Sequence, residues 1–169
     1  FQAEDGIRDA QESRGLGDVY KRQGQQLYRI IPRTILCIKQ GKKLQLHGGG
    51  YSERSFIHIK DVSEATLKIA LNGVIGETYH ISTKSSISIR NLVKLICTKM
   101  NVNFDEYVDN VDDRPGKDAF YLLNSDKLRN SLDWEDNISL SLGVDQVINW
   151  VDSNIEILEK EVDYYDHKP

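Results

Sequence analysis

The sequence predicts an α/β fold. Two observations carry that expectation. Short apolar stretches of period two alternate with stretches of helical period, and glycines and prolines fall at the joints between them. The 169 residues are 39% hydrophobic and 28% charged, ordinary values for one globular domain with a single core. A formal net charge of -4 leaves no electrostatic footprint for nucleic acid or an anionic membrane, so any phosphate must be held locally. No apolar run reaches the roughly 18 residues that span a bilayer, and the polar N-terminus does not read as a signal peptide. A cytoplasmic protein is expected.

Residues 1–23 stand apart from the rest. They show no apolar periodicity, alternate in charge and contain Gly6, Gly15 and Gly17, so a non-native or disordered leader is expected. The text Gln-Ala-Glu-Asp-Gly-Ile-Arg-Asp, three further residues, then Ser-Arg-Gly-Leu-Gly-Asp-Val-Tyr-Lys-Arg-Gln resembles the translation of a sequencing-library adapter. The folded part is expected at 24–158, followed by a polar tail at 159–169.

From Gly24 onward, strands and helices alternate. Pro32 suits the first position of a helix with the apolar face Ile35, Leu36 and Ile38, closed by Gly41 at C′. Leu44 to His47 reads as a strand, and Gly48-Gly49-Gly50 breaks it before a second strand, giving a strand, loop and strand unit. In that second strand, opened by Arg54, Phe56 and His58 alternate with Ile57 and Ile59. Asp61 stands where an N-cap would accept first-turn amides, ahead of a helix with Val62, Ala65, Thr66 and Ile69 on one face. Thr78 to Ile81 is predicted as a strand. Ser88 is predicted to cap a helix carrying Ile89, Leu92, Val93, Ile96 and Met100, and Tyr107 to Val111 to form a strand. Phe120 to Leu123 is short and apolar, and Ser125 starts a small helix through Leu132. Ser139 is expected to cap the last helix, with Leu142, Val147, Ile148, Val151, Ile155 and Leu158 along one side. Cys37 and Cys97 lie in apolar helical patterns without a cysteine or histidine at metal-ligand spacing, so both are expected to be reduced and no metal is assigned.

Two places suit chemistry. Arg54 stands at a strand's mouth, and a guanidinium there can give a phosphate two parallel charge-assisted bonds, although the same residue also suits an ordinary surface position. In Asp113-Arg114-Pro115-Gly116-Lys117-Asp118, proline and glycine set a tight turn, and two cations three residues apart can grip one anion; a solvated turn pairing Arg114 with Asp112 or Asp113 is the alternative. The glycine triplet lacks the spacing of a dinucleotide fingerprint or a P-loop. Across residues 24–158 no Tyr-x-x-x-Lys and no glycine-rich first βαβ turn occur, and no nucleophile lies beside a base, so no catalytic residue is assigned within the chain.

Five segments in order carry a family resemblance: Arg29-Ile30-Ile31-Pro32; Gly41 to Gly48; Arg54 to Val62; Gly76-Glu77-Thr78-Tyr79-His80-Ile81; and Asp113 to Asp118, trailed by Asp126-Lys127-Leu128 and Leu132-Asp133-Trp134. From Gly24 to about Leu158 the chain resembles the C-terminal half of the extended short-chain dehydrogenase/reductases that act on nucleotide sugars, the NAD-dependent epimerase/dehydratase family, and most closely the dTDP-glucose 4,6-dehydratases. The resemblance implies a substrate-binding part plus late elements of a Rossmann-type fold. It implies that Arg54 and Arg114 clamp the diphosphate, with Lys117, where a histidine is frequent, assisting. Gln45, in place of a common proline, and His47, in place of a common tyrosine, would meet the nucleotide base. Ile31 and Pro32 would wall its pocket. Arg29 replaces a frequent lysine, and His80 a frequent asparagine near the nucleotide.

The resemblance also implies a lyase that uses NAD to oxidise the sugar at C4, loses water across C5 and C6, and returns hydride to C6. The family's NAD-binding glycines and catalytic residues fall upstream of Gly24, so this chain alone is expected to be inactive. The parent protein is expected to be a homodimer. Two alternatives stand beside the dehydratase: a nucleotide-sugar 4-epimerase or UDP-glucuronate decarboxylase of the same superfamily, and a non-catalytic nucleotide-binding module.

Overall fold

The computed structural model describes Leu27, residues 29–113 and residues 118–161. The leader at 1–23, together with Arg114 and Lys117, lies outside the described residues. Helix α1, Ile30–Lys39, begins two residues before the expected Pro32. Proline fits the third helical position because first-turn N–H groups have no intrahelical acceptor to lose. Gly41 ends the helix at φ +64, with Lys42 N–H bonding to the Cys37 carbonyl and Gly41 N–H to that of Ile38, a Schellman closure.

Strand β1, Leu44–His47, forms as expected but does not pair with the strand that follows it. It pairs in parallel with β4, Val108–Val111, in register from Leu44↔Val108 to His47↔Val111. The turn Gly48–Gly50 redirects the chain, with all three glycines at positive φ. Strand β2, Glu53–Arg54, then lies in a separate sheet of order β3-β2-β5, antiparallel to β3 (Ile87–Ser88) and parallel to β5 (Phe120–Tyr121). The expected strand through Phe56 to Ile59 stops at Arg54.

Helix α2, Ile59–Asn72, is capped by His58 and not by Asp61. The His58 Nδ1 accepts the N–H of Lys60 at 3.1 Å, which places the ring proton on Nε2, donating to Gln146 Oε1 at 3.0 Å. Asp61 is thereby released for a distant partner. Its carboxylate accepts the backbone N–H of Asn137 and of Ile138, both at 3.1 Å, while its carbonyl accepts the Trp134 indole N–H at 3.2 Å. The expected strand at Thr78 to Ile81 belongs to no ladder among the described residues.

Ser88 caps α3, Ile89–Lys99, by accepting the Asn91 N–H at 3.2 Å. The short α4, Phe104–Tyr107, leads into β4. Ser125 precedes α5, Asp126–Leu132, without a side-chain cap; its hydroxyl donates to the Ser82 carbonyl and accepts from Arg129 Nε. Ser139 caps α6, Leu140–Glu161, by accepting the Leu142 N–H. Leu142 itself is exposed, and the buried side of α6 runs through Val144, Val147, Val151 and Leu158.

The apolar residues form two clusters. The larger joins α1, β1, α3, β4 and α6 through Ile35, Leu46, Leu92, Ile96, Val108 and Val147. The smaller sets Ile57 and Ala65 of the α2 region against Leu128 and Trp134. Both cysteines are free: Cys97 is buried in the larger cluster and Cys37 is half-buried beside it. Burial raises both thiol pKa values. Among the described residues no helix is long and apolar enough to cross a membrane, and no group of three or more metal-ligating side chains converges.

Candidate functional site

Arg54 stands on the middle strand of the three-stranded sheet. Glu53 pairs with Ser88 on one side and Phe120 on the other, and Glu53 N–H donates to the Ala119 carbonyl at 2.8 Å. Held in this way, the half-buried guanidinium donates to the Glu53 carbonyl at 2.7 Å and to the Asp118 carbonyl at 2.9 Å. Among the described residues these two bonds use two of the five N–H donors of arginine. Asp118 closes the segment that opens at Asp113, so Arg54 is tied to that loop's far end.

The near end is tied as well. His47, at the end of β1, has its Nδ1 3.2 Å from the Asp112 carbonyl, which can only accept, so that nitrogen carries the proton. Asp113 lies against Gly48: a Cβ on this glycine would stand 2.3 Å from the Asp113 carboxyl carbon. Gly50 has equally little room, with the Arg90 backbone nitrogen 2.9 Å from where its Cβ would be. The Arg90 side chain holds the turn from the other side. It donates to the Gly49 carbonyl at 3.3 Å and to Asn110 Oδ1 at 3.2 Å, and stacks 4.9 Å over Phe104 and 5.9 Å over Tyr51.

The remaining expected site residues are distributed as follows. Gln45 is exposed on β1, opposite Asp109. Arg29 is the N-cap residue of α1; Ile31 and Pro32 are buried in its first turn, Ile31 within the larger core. His80 is exposed and makes no side-chain hydrogen bond among the described residues. Arg114 and Lys117 lie outside the described residues. The structure thus ties His47 to Asp112 and Arg54 to Asp118.

Sequence reasoning missed Arg90, which reads as a surface residue just inside a helix, and Arg129. The Arg129 side chain is 8% exposed. It donates to Ser125 Oγ, the Ser82 carbonyl and Asp136, and lies 4.8 Å over Trp134. Asp136 in turn lines a cleft of about 310 Å³ with Phe56, Thr83, Ser85, Ser86 and Ser139. Ile87, Ile138 and Leu140 complete its wall, so hydroxyls and a carboxylate share it with apolar side chains.

Comparison with known proteins shows the family. Residues 19–147 match the family model described as GDP-mannose 4,6 dehydratase. The chain belongs to that family. It is thus an extended short-chain dehydrogenase/reductase chain, as its ordered segments predict. It is 31% identical over 131 residues to the dTDP-D-glucose 4,6-dehydratase of Bos taurus, covering 75% of this chain and 37% of that protein. With the dTDP-glucose 4,6-dehydratase of Escherichia coli it shares 28% identity over 145 residues, 80% of this chain and 40% of that one. The solved dTDP-glucose 4,6-dehydratase of Bacillus anthracis in complex with NAD superposes with a TM-score of 0.73 at 28% identity, covering 78% of this chain and 42% of the other. The chain therefore spans about two fifths of the length of these family members.

NAD is bound in that solved family structure, but the described residues of this chain do not fit it. Its one glycine cluster leads into extended chain and not into a helix N-terminus, and an Asp113 carboxylate occupies the space against Gly48. A dinucleotide's pyrophosphate needs free amides at a helix start.

Proposed function

We propose that the chain is the substrate-binding part of an NAD-dependent nucleotide-sugar 4,6-dehydratase, and that Arg54, Arg114 and Lys117 hold the diphosphate of the sugar nucleotide. Gln45 and His47 face the base in this reading, Ile31 and Pro32 wall it, and Arg29 and His80 border it. The observation that carries the proposal is the bond from the Arg54 guanidinium to the Asp118 carbonyl. It fastens the strand's cation to one end of the loop that supplies the other two, as His47 is fastened to the opposite end at Asp112. The role is one of positioning: a clamped diphosphate fixes where the sugar lies, and such orientation lowers the barrier of a reaction performed by other groups. Activity then requires residues outside this chain. A cytoplasmic, homodimeric parent belongs to the same proposal.

Isothermal titration of the 169-residue chain with dTDP, UDP and GDP, each against its nucleoside, tests it. Diphosphates are expected to bind and nucleosides to bind at least about tenfold more weakly, since charge-assisted bonds contribute about 1.5–3 kcal/mol. Arg54→Ala should erase that difference. Equal binding of nucleoside and diphosphate, or an unchanged difference in Arg54→Ala, would overturn the reading.

A further inference from the structure

The cleft of about 310 Å³ opens where three connections meet: Phe56 ahead of α2, residues 83–87 ahead of α3, and residues 136–140 at the passage from α5 to α6. It follows the seam between the two apolar clusters, since Phe56, Ile87 and Leu140 pack against the larger one while Ile81 and Trp134, close to these loops in sequence, belong with the smaller. Its wall is pinned from behind. The Asp61 carboxylate accepts the N–H groups of Asn137 and Ile138, both at 3.1 Å, and the buried Arg129 side chain holds Asp136 through one carboxylate oxygen. A wall fixed by the fold in this way costs little further ordering when a ligand enters.

The hydrogen-bonding capacity left over defines the ligand. Arg129 takes Oδ1 of Asp136, and among the described residues Oδ2 has no partner. Ser139 Oγ accepts the Leu142 N–H at 3.2 Å, which leaves its own proton to give. The Ser85 and Thr83 hydroxyls share one bond at 3.2 Å, so one of the two can still donate. The Ser86 proton is already given to Glu53 at 2.6 Å. One strong acceptor and two donors therefore stand beside the Phe56 ring and the apolar Ile87 and Leu140. The charge of Asp136 is matched by Arg129, so the cleft selects by hydrogen bonds and not by charge. A cyclic polyol has this pattern, with hydroxyls that both donate and accept around its edge and C–H faces for apolar side chains. The volume lies at the lower end of the roughly 300–1,000 Å³ of ligand pockets, which suits one ring and not a nucleotide. We propose that this cleft binds an uncharged monosaccharide or cyclitol, with Asp136 Oδ2 accepting one ligand hydroxyl and Ser139 donating to another. The site uses neither Arg54 nor the loop at 113–118, and the proposal does not rest on the nucleotide reading.

Titration of the 169-residue chain with D-glucose, myo-inositol and cyclohexanol, followed by amide chemical shifts in two-dimensional NMR, tests it. Glucose or inositol should shift the amides of residues 83–87 and 136–140 with half-saturation near about 1 mM, the affinity expected of a ligand with about twelve non-hydrogen atoms. Cyclohexanol, which has the ring but a single hydroxyl, should bind at least about tenfold more weakly. Asp136→Asn keeps an accepting oxygen for Arg129 but presents to the cleft an amide nitrogen, which only donates. Affinity for the polyol should then fall about tenfold while the thermal midpoint stays near that of the wild type. Ser85→Phe, at an exposed loop position, fills the cleft and serves the same purpose if Asp136→Asn fails to fold. Shifts confined to other parts of the chain, no saturation below about 50 mM, cyclohexanol binding as tightly as the polyols, or affinity untouched by either variant would each overturn the proposal.

Discussion

The carboxylate of Asp61, 2% exposed, accepts the backbone N–H of Asn137 at 3.1 Å across 76 residues of sequence, and that of Ile138 beside it. One side chain in the first turn of α2 therefore fixes the approach to α6. Removing it leaves two donors without an acceptor in a place water reaches poorly. Asp61→Ala should destabilise the chain by about 2–4 kcal/mol, and Asp61→Asn, which keeps one accepting oxygen, by about half of that. Urea unfolding followed by circular dichroism checks both. Equal midpoints for wild type and Asp61→Ala would show that the bonds are replaced by solvent.

Arg54→Lys separates charge from geometry. Lysine keeps the charge but loses the planar fork, so it cannot reach the Asp118 carbonyl and a phosphate with parallel donors. Diphosphate affinity in the titration above should fall about tenfold with Lys and further with Ala, on the scale of about 1.5–3 kcal/mol for such bonds. Full retention with Lys would reduce the role of Arg54 to that of a point charge.

The glycines divide into two classes. Gly41 has φ +64 and nothing within 4 Å of an added Cβ, so Gly41→Ala should cost only the backbone term, about 1 kcal/mol. Gly50 has φ +71 and would place its Cβ 2.9 Å from the Arg90 backbone nitrogen and 2.8 Å from Leu46. Gly50→Ala should therefore cost clearly more, about 2–4 kcal/mol, because packing strain adds to conformational strain. Thermal unfolding of the two variants in parallel gives the ranking.

Burial raises the Cys37 thiol pKa, opposed by the charges of Arg33 and Lys42. The fold favours the protonated form, so this contribution to stability is intact below the ordinary thiol pKa and is lost as pH rises through the raised value. Stability should decline in that alkaline window, and Cys37→Ala should flatten the decline. Alkylation of Cys37 at neutral pH should also be slower than that of a free peptide thiol. A pH profile unchanged by Cys37→Ala would remove this residue from the account.

Where local chemistry decides, the structure could be read from the chain. Ser88, followed by apolar residues at helical spacing, marks α3, and Gly41 marks the end of α1, because a cap and a left-handed closure depend on nearest neighbours. Asp61 resembled an N-cap for the same reason, but an imidazole three residues earlier had already taken that role and left the carboxylate to a partner far along the chain. Nothing in the residues around Leu44 announces β4 as their partner, since parallel pairing is set by tertiary packing. At the site, Arg54 was legible as a cation at a strand's mouth. Its tie to Asp118 was not, nor was the clasp of Arg90 on the glycine turn, because each joins segments that only the fold brings together.

The parallel pairing of Leu44 to His47 with Val108 to Val111 has a consequence during synthesis. The first of these strands leaves the ribosome long before its mate exists, and contacts so distant in sequence are slow to close. Until then its edge stays open to whatever nascent chain is nearby. Slowing translation after His47 should therefore lower the soluble yield of this protein more than the same pause placed beyond Val111.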